Sequence, residues 1–175
     1  GNHLVRMARY SGLIGQNLGL GGDMVHVIEV AAPMHDIGKI GIPDSVLIKE
    51  GPLSPAEIEI MRTHPRIGYD ILKGSPSKYL SMGSIIALGH HEKYDGTGYP
   101  NGLHGEDIPI VARVVAVADV FDALVSERPY KHAWPINEGI DFLKSQRNKH
   151  FDPKCVDAFL ADRTRIEAIY TELAD

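Results

Sequence analysis

The chain has 175 residues, of which 43% are hydrophobic and 23% charged, as is typical of one globular domain with a sizeable core, and we expect a single domain over residues 1–175. The formal net charge of −5 argues against a general binder of DNA or RNA. The single cysteine, Cys155, excludes a cysteine-ligated metal site, and with no signal-peptide pattern or long apolar run it favours a cytoplasmic protein without membrane insertion.

Apolar residues at helical spacing predict helices throughout the first half of the chain, and no segment alternates like a strand. The first helix is predicted over 3–18, and the second begins with Asp23 as its N-cap. Pro33 is expected to kink the chain, and glycines and a proline predict a tight loop over 38–43.

Helix-start patterns and apolar spacing also organise the second half of the chain. A capping-box pattern that begins at Ser54 predicts a helix running towards His64, and further helices are predicted over 66–72 and 80–91. Beyond a loop over 95–109, the pattern predicts three helices, one over 111–125 and two opened by Pro135 and by Asp152-Pro153. The sequence therefore predicts an all-α fold of about seven to nine helices with irregular loops on one side.

Two adjacent histidines, His90 and His91, close an apolar run directly before a loop rich in glycine and proline. On a helix, neighbouring side chains point about 100° apart, so the two imidazoles cannot chelate one ion as an i, i+4 pair does. We therefore expect each of them to bind a different ion of a closely spaced pair.

Asp119 lies in the apolar run 114–121, where a bare carboxylate would be costly to bury unless it is paired, hydrogen-bonded or bound to metal. A structural salt bridge or a cap is the alternative for Asp119 alone. Histidines and carboxylates without cysteine suit Mn²⁺, Fe²⁺ or Zn²⁺, and their number exceeds what one ion needs. Two ions about 4 Å apart can activate a water molecule and clamp a phosphoryl group. The candidate ligands at this stage are His35, Asp36, His64, His90, His91 and Asp119.

The run His35-Asp36-Ile37-Gly38-Lys39, followed by the later histidines and Asp119, resembles the HD superfamily of metal-dependent phosphohydrolases. The pattern His-His-Glu-x-x-Asp-Gly-x-Gly-Tyr-Pro at 90–100 resembles the HD-GYP subfamily, which is known as bacterial cyclic di-GMP phosphodiesterases. The resemblance covers nearly the whole chain. It implies an HD-domain helical bundle with an irregular Gly-Tyr-Pro loop.

The resemblance also implies roles for single residues. Asp36 is implied to bridge two metal ions, and Lys39 to contact the scissile phosphate, where its charge could stabilise the developing negative charge. The implied metal ligands are His3, His35, Asp36, His64, His90, His91 and Asp119.

Four further residues are implied to act on the substrate. Asp122, one helical turn after Asp119, is suited to orienting a cation or the nucleophile, and we expect it among the catalytic and substrate-binding residues. Arg128 and Lys131 are implied to contact phosphates or bases of the nucleotide, with a solvated basic patch as the alternative. Tyr99 could stack on a guanine or could pack the loop.

The implied cofactors are two divalent transition-metal ions, iron or manganese foremost, with zinc as an alternative. Some family members hold a third ion with a glutamate that would lie before Gly1, so the choice between two and three ions stays open. The implied activity is hydrolysis of cyclic di-GMP to pGpG, and onward to GMP, in bacterial second-messenger signalling.

Two other functions remain as alternatives. One is a receptor or adaptor that acts through the loop over 95–105, although such degenerate members would be expected to lose ligands and none is missing here. The other is a hydrolase of a different cyclic dinucleotide. The abrupt start at Gly1 suggests an upstream regulatory domain, as in a response regulator, and a homodimer and diguanylate-cyclase-type proteins are further expected partners.

Overall fold

The computed structural model describes residues 1–175, and its regular elements are nine helices of seven residues or more, one short helical turn and three brief 3-10 segments. The all-α prediction and the expected number of helices are confirmed. None of the helices combines the length and the apolar character that crossing a membrane requires. The helices are α1 (His3–Asn17), α2 (Gly22–Ala31), the single turn α3 (Asp44–Leu47), α4 (Pro55–Met61), α5 (His64–Leu72), α6 (Lys78–Gly89), α7 (Ile110–Val125), α8 (Ile136–Ser145), α9 (Pro153–Leu160) and α10 (Arg163–Glu172).

Helix α7 runs through the centre of the core, and ten of its sixteen residues are buried. Tyr10 of α1 packs edge-on against Phe121 of α7 at 5.3 Å and against Phe159 of α9 at 5.5 Å. Burying each such aromatic side chain stabilises the fold by about 1.5–3 kcal/mol. This packing fixes α7 against α1, so the carboxylates of α7 face the start of α1.

The segment around His64 differs from the prediction that a helix ends there. Helix α4 begins with the expected capping box, in which Ser54 and Glu57 bond reciprocally to each other's backbone N–H. It ends at Met61, and His64 is instead the first residue of α5, with Pro65 in the first turn. A proline fits there because the first N–H groups of a helix have no partner within the helix.

Three smaller expectations also need revision. The N-cap of α2 is Gly21, and Asp23 lies within the first turn, where its carboxylate still interacts favourably with the helix dipole. Part of the loop predicted over 38–43 belongs to a 3-10 segment, Ile37–Gly41. Helix α6 begins at Lys78 and ends at Gly89, before both histidines that were predicted to complete it.

Candidate metal centre

The structure brings all seven predicted metal ligands together from five separate parts of the chain. They form two groups, and within each group one ligand atom per residue lies within 4.8 Å of the others. The first group is Asp36, His64, His90 and His91, and the second is His3, His35 and Asp119.

Asp36 lies between the two groups. Its Oδ1 atom is 3.2 Å from Nε2 of His64 and 3.3 Å from Nε2 of His90, and its Oδ2 atom is 3.2 Å from Nε2 of His35. These contacts are close but are not aligned as hydrogen bonds, and Oδ1 and the three Nε2 atoms are buried without a partner. Buried polar atoms are nearly always satisfied, so this convergence fits a bound cation. The donor set of imidazoles and carboxylates suits a divalent transition metal.

The other ring nitrogen of three histidines is bonded to a backbone carbonyl. Because a carbonyl oxygen only accepts, each Nδ1 carries the proton, and in the neutral ring the Nε2 lone pair remains for a metal. The bonds run from His35 to Ala32 (3.0 Å), from His64 to Met61 (2.7 Å) and from His90 to Ala87 (3.0 Å).

Gly38 explains how the loop that carries Asp36 comes so close to His64. A Cβ atom at Gly38 would overlap the carbonyl oxygen of His64 and the backbone nitrogen of Gly68. Only a glycine allows the two backbones to approach this closely.

The second group rests on a buried network of charged residues. Nε2 of His3 and Nε2 of His35 each lie 3.4 Å from Oδ1 of Asp119. Nδ1 of His3 is 2.6 Å from Oδ2 of Asp122, whose other oxygen accepts a 2.7 Å hydrogen bond from Nε of Arg6. Asp122 has no exposed side-chain surface. It therefore lies behind His3, where a carboxylate orients a metal-binding imidazole.

The electrostatics of both groups favour added positive charge. Burial alone would raise the pKa of the Asp36 carboxyl, but the imidazoles of His35, His64 and His90 hold it well below its usual range. Burial would lower the pKa of His35, but Asp119 and Asp36 outweigh it and raise this pKa to about 10. Asp119 and Asp122 raise the pKa of His3 to about 9. Protons and metal ions therefore compete for the same positions.

The geometry does not favour the prediction that His90 and His91 bind different ions, because both imidazoles lie in the first group. The 100° rule does not apply, since His90 is the C-cap of α6 and His91 lies in the following turn. Their ring centroids are 4.0 Å apart. Burial, and then the neighbouring His90 and His64, lower the pKa of His91 to about 2, so this imidazole is neutral, as a ligand must be.

The loop after these histidines is held by Glu92, whose side chain is buried. Its carboxylate accepts hydrogen bonds from the backbone N–H groups of Asn101 (2.8 Å) and Leu103 (3.0 Å). The loop is thus fixed to the end of α6.

The ring of Tyr99 contacts two side chains of the site. One face stacks on His91, with centroids 4.8 Å apart and planes 15° apart. The guanidinium of Arg62 lies 4.9 Å from the ring centroid. Of the two roles expected for Tyr99, packing within the loop fits this arrangement.

A cleft of about 460 Å³ opens beside the two groups. Nζ of Lys39 lies 3.1 Å from Oδ2 of Asp36 at the edge of this cleft. Arg128 is exposed, whereas Nζ of Lys131 donates 2.8 Å hydrogen bonds to the carbonyls of Leu124 and His132. The cleft is lined by His3, Asp36, Lys39, His91, Asp119, Val120, Ala123, Leu124, Arg128 and Lys131.

Comparison with known proteins identifies the family. Residues 1–155 match the family model described as HD domain. This chain belongs to the HD domain family. The resemblance expected from the sequence is confirmed, and the HD family is metal-dependent, in agreement with the two ligand groups of this HD domain.

The relatives of this HD domain include the cyclic di-GMP phosphodiesterase response regulator RpfG of Xanthomonas campestris pv. campestris, 55% identical over 95% of this chain and 44% of the relative. The 3'3'-cGAMP-specific phosphodiesterase 2 of Vibrio cholerae is 42% identical over 100% of this chain and 34% of the relative. This chain thus spans less than half the length of these relatives. A solved cyclic GMP-AMP-specific phosphodiesterase of V. cholerae shares the fold, with a TM-score of 0.69 and 21% identity over 99% of this chain and 46% of that chain.

Three residues that support the site had no role assigned from the sequence: Arg6, Arg62 and Glu92. Arg6 lies three residues after His3, a spacing that places both on one helix face and could have indicated a link. Glu92 follows the two histidines directly, but its acceptor role depends on the path of the loop. For Arg62 we find no local signal, because its contact with Tyr99 arises only in the folded chain.

Proposed function

We propose that this HD domain is a metal-dependent phosphodiesterase that hydrolyses cyclic di-GMP to pGpG, and onward to GMP. The observation that carries the proposal is the convergence of four buried, unpartnered ligand atoms at Asp36, beside a cleft lined with cationic side chains. The identity of 55% with a relative named as a cyclic di-GMP phosphodiesterase supports the choice of substrate.

Two ions fit the two groups of ligands, and Asp36 would contact both, since its oxygens face histidines of different groups. When bound, two such ions lower the pKa of a water molecule and neutralise charge on the phosphoryl oxygens. Iron and manganese are our first choices, and zinc suits the same donors. Asp122 would act on His3 rather than on the substrate, because it has no exposed surface.

The substrate would bind in the cleft with its phosphates towards the cations. The ammonium of Lys39, half-buried beside Asp36, would donate to an oxygen of the scissile phosphate. Arg128 is free to form a two-pronged contact with a second phosphate, and Lys131 adds a point charge. The ring of Tyr99 already contacts His91 and Arg62, so the partly exposed apolar strip Val120, Ala123 and Leu124 is the better candidate for contact with a base.

A second candidate is hydrolysis of a different cyclic dinucleotide. The relative named as specific for 3'3'-cGAMP favours this alternative, since it is 42% identical over the whole chain. The phosphate contacts proposed here would serve either substrate. A non-catalytic receptor is less well supported, because all seven ligands are present and converge.

The proposal is tested with protein prepared anaerobically and loaded separately with Fe²⁺ or Mn²⁺. We expect conversion of cyclic di-GMP to pGpG or GMP, measured by chromatography, and none by Asp36→Ala. Asp70→Ala is the matched control, because this exposed carboxylate pairs only with Lys73 on the surface. Unchanged turnover in Asp36→Ala would overturn the proposal. Preferred cleavage of 3'3'-cGAMP would favour the second candidate function. Bound metal without any turnover would favour the receptor.

A cytoplasmic location also belongs to the proposal, in line with a single cysteine that is buried and unpaired. An upstream regulatory domain, a homodimer and diguanylate-cyclase-type partners stay predictions of the resemblance. The printed name of the relative RpfG includes response regulator, which supports a regulatory context for this HD domain.

A further inference from the structure

His91 is held differently from the other histidines of its group. The rings of His64 and His90 are fixed by Nδ1 bonds to backbone carbonyls, but His91 makes no such bond. It also lies outside α6, in a turn. Something else must therefore set the direction in which its ligand atom points.

The ring of Tyr99 supplies that support. It lies almost parallel to the imidazole of His91, at 15° and 4.8 Å. The backbone N–H of Tyr99 donates a 3.2 Å hydrogen bond to the carbonyl of His91, which fixes one residue against the other. Gly98 makes this approach feasible, because a Cβ there would overlap the carbonyl of His91 and the nitrogen of Lys93.

Arg62, an exposed residue, also contacts the ring of Tyr99. Its guanidinium lies 4.9 Å from the centroid of the Tyr99 ring, within the range of a cation–π contact. Arg62 follows Met61, the residue whose carbonyl fixes the ring of His64. The end of α4 therefore supports two ligands of the same group, His64 through the carbonyl of Met61 and His91 through the contact of Arg62 with Tyr99.

We propose that Arg62 and Tyr99 are positioning residues that hold His91 in the geometry needed to bind the ion of the first group. In this account the Gly-Tyr pair of the loop serves the metal centre rather than a nucleobase. The inference goes beyond the proposed activity and rests only on its metal centre.

Removing a residue that orients a metal ligand lowers metal affinity by roughly tenfold to a hundredfold. We expect Tyr99→Ala to lower the affinity for one of two Mn²⁺ ions by about that factor and to leave the affinity for the second ion unchanged. Tyr99→Phe should bind both ions like the wild type, because stacking uses the ring and not the hydroxyl. Arg62→Ala should lower the affinity for the same ion, but by less than Tyr99→Ala does, because Arg62 contacts Tyr99 and not His91 itself.

The measurement is equilibrium dialysis of the metal-free protein against Mn²⁺ at fixed pH, with circular dichroism to verify folding. Lys78→Ala is the matched control, since it removes a cation 5.4 Å from the ring of Tyr79, away from the ligands. His3→Ala should lower the affinity for the ion of the second group and so shows which of the two binding steps belongs to it. Because Arg62 is exposed, its variant is expected to fold even if Tyr99→Ala does not.

Two results would overturn the inference, and they differ in what else they affect. If the wild type binds two ions and both Tyr99→Ala and Arg62→Ala bind them equally well, the positioning role is wrong and the metal centre stands. If the wild type binds no divalent ion, the metal centre fails, and the proposed function fails with it.

Discussion

The Nε2 atom of His64 lies 3.2 Å from Oδ1 of Asp36, and neither of these buried atoms has a hydrogen-bond partner. His90 approaches the same oxygen in the same way, at 3.3 Å. Lone pairs that face each other in a buried place are unfavourable unless positive charge lies between them. That charge can come from protons or from metal ions, and this competition can be measured.

Metal binding should release protons. In the metal-free protein the pKa of His35 is raised to about 10, against burial, by Asp119 and Asp36, so this imidazole is protonated at neutral pH. A metal ion needs the neutral ring, so its apparent affinity should rise about tenfold per pH unit for each proton displaced, between about pH 6 and pH 9. Titrating weakly buffered protein with Mn²⁺ and a pH indicator measures the release. An affinity independent of pH would contradict this prediction.

Replacing Asp122 should destabilise the protein. Asp122→Asn keeps the volume of the side chain but leaves the buried guanidinium of Arg6 without its full counter-charge, which costs about 3 kcal/mol or more. Chemical denaturation of metal-free protein measures this loss. The control is Asp157→Ala, which breaks a similarly short but exposed pair with Arg147 and should cost less than about 1 kcal/mol. Equal effects of the two changes would show that burial of the Arg6–Asp122 pair is unimportant.

Gly38→Ala should disturb both the fold and the metal centre. The added methyl group would meet the backbone of His64 and of Gly68, which cannot move aside as a flexible side chain can. We expect a loss of about 1–3 kcal/mol in the free energy of unfolding, together with weaker metal binding by Asp36. Gly22→Ala is the control, because it meets nothing within 4 Å and removes a glycine from a helix. Wild-type metal affinity in Gly38→Ala would refute the role of the close approach.

Arg128→Ala should affect substrate binding more than chemistry. The side chain is exposed at the cleft, beyond the metal ligands. Losing a hydrogen bond to a charged phosphate costs about 1.5–3 kcal/mol, so KM for cyclic di-GMP should rise roughly tenfold or more with kcat little changed. A small phosphodiester without a second nucleotide should be cleaved as by the wild type. Arg163→Ala, on the surface, is the control. A change confined to kcat would place Arg128 in the chemical step.

Much of the fold could be predicted from local patterns. The capping box at Ser54 and the apolar run of α7 identify their helices because caps and periodicity act within a few residues. The carboxylate of Asp119 stands out for a related reason, since its apolar neighbours indicate burial. These patterns, together with the resemblance, were enough to find all seven residues that converge.

The grouping of those residues could not be predicted in the same way. Whether His90 and His91 point apart depends on where α6 ends, and helix ends shift by one or two residues for reasons outside the local sequence. Arg6 bonds to a residue 116 positions away, and its spacing from His3 does not reveal that partner. Such partners appear only when tertiary packing is known.

The anchoring of the loop by Glu92 has a consequence for conformational entropy. Because its carboxylate holds the backbone of Asn101 and Leu103, residues 93–100 lose their freedom when the chain folds and not when a ligand arrives. Ordering a segment of this length would cost on the order of 10 kcal/mol in backbone entropy. If the loop became ordered only on binding, this cost would reduce the free energy of binding of each ligand. The proposed ions and substrate would therefore meet a surface that is already preorganised.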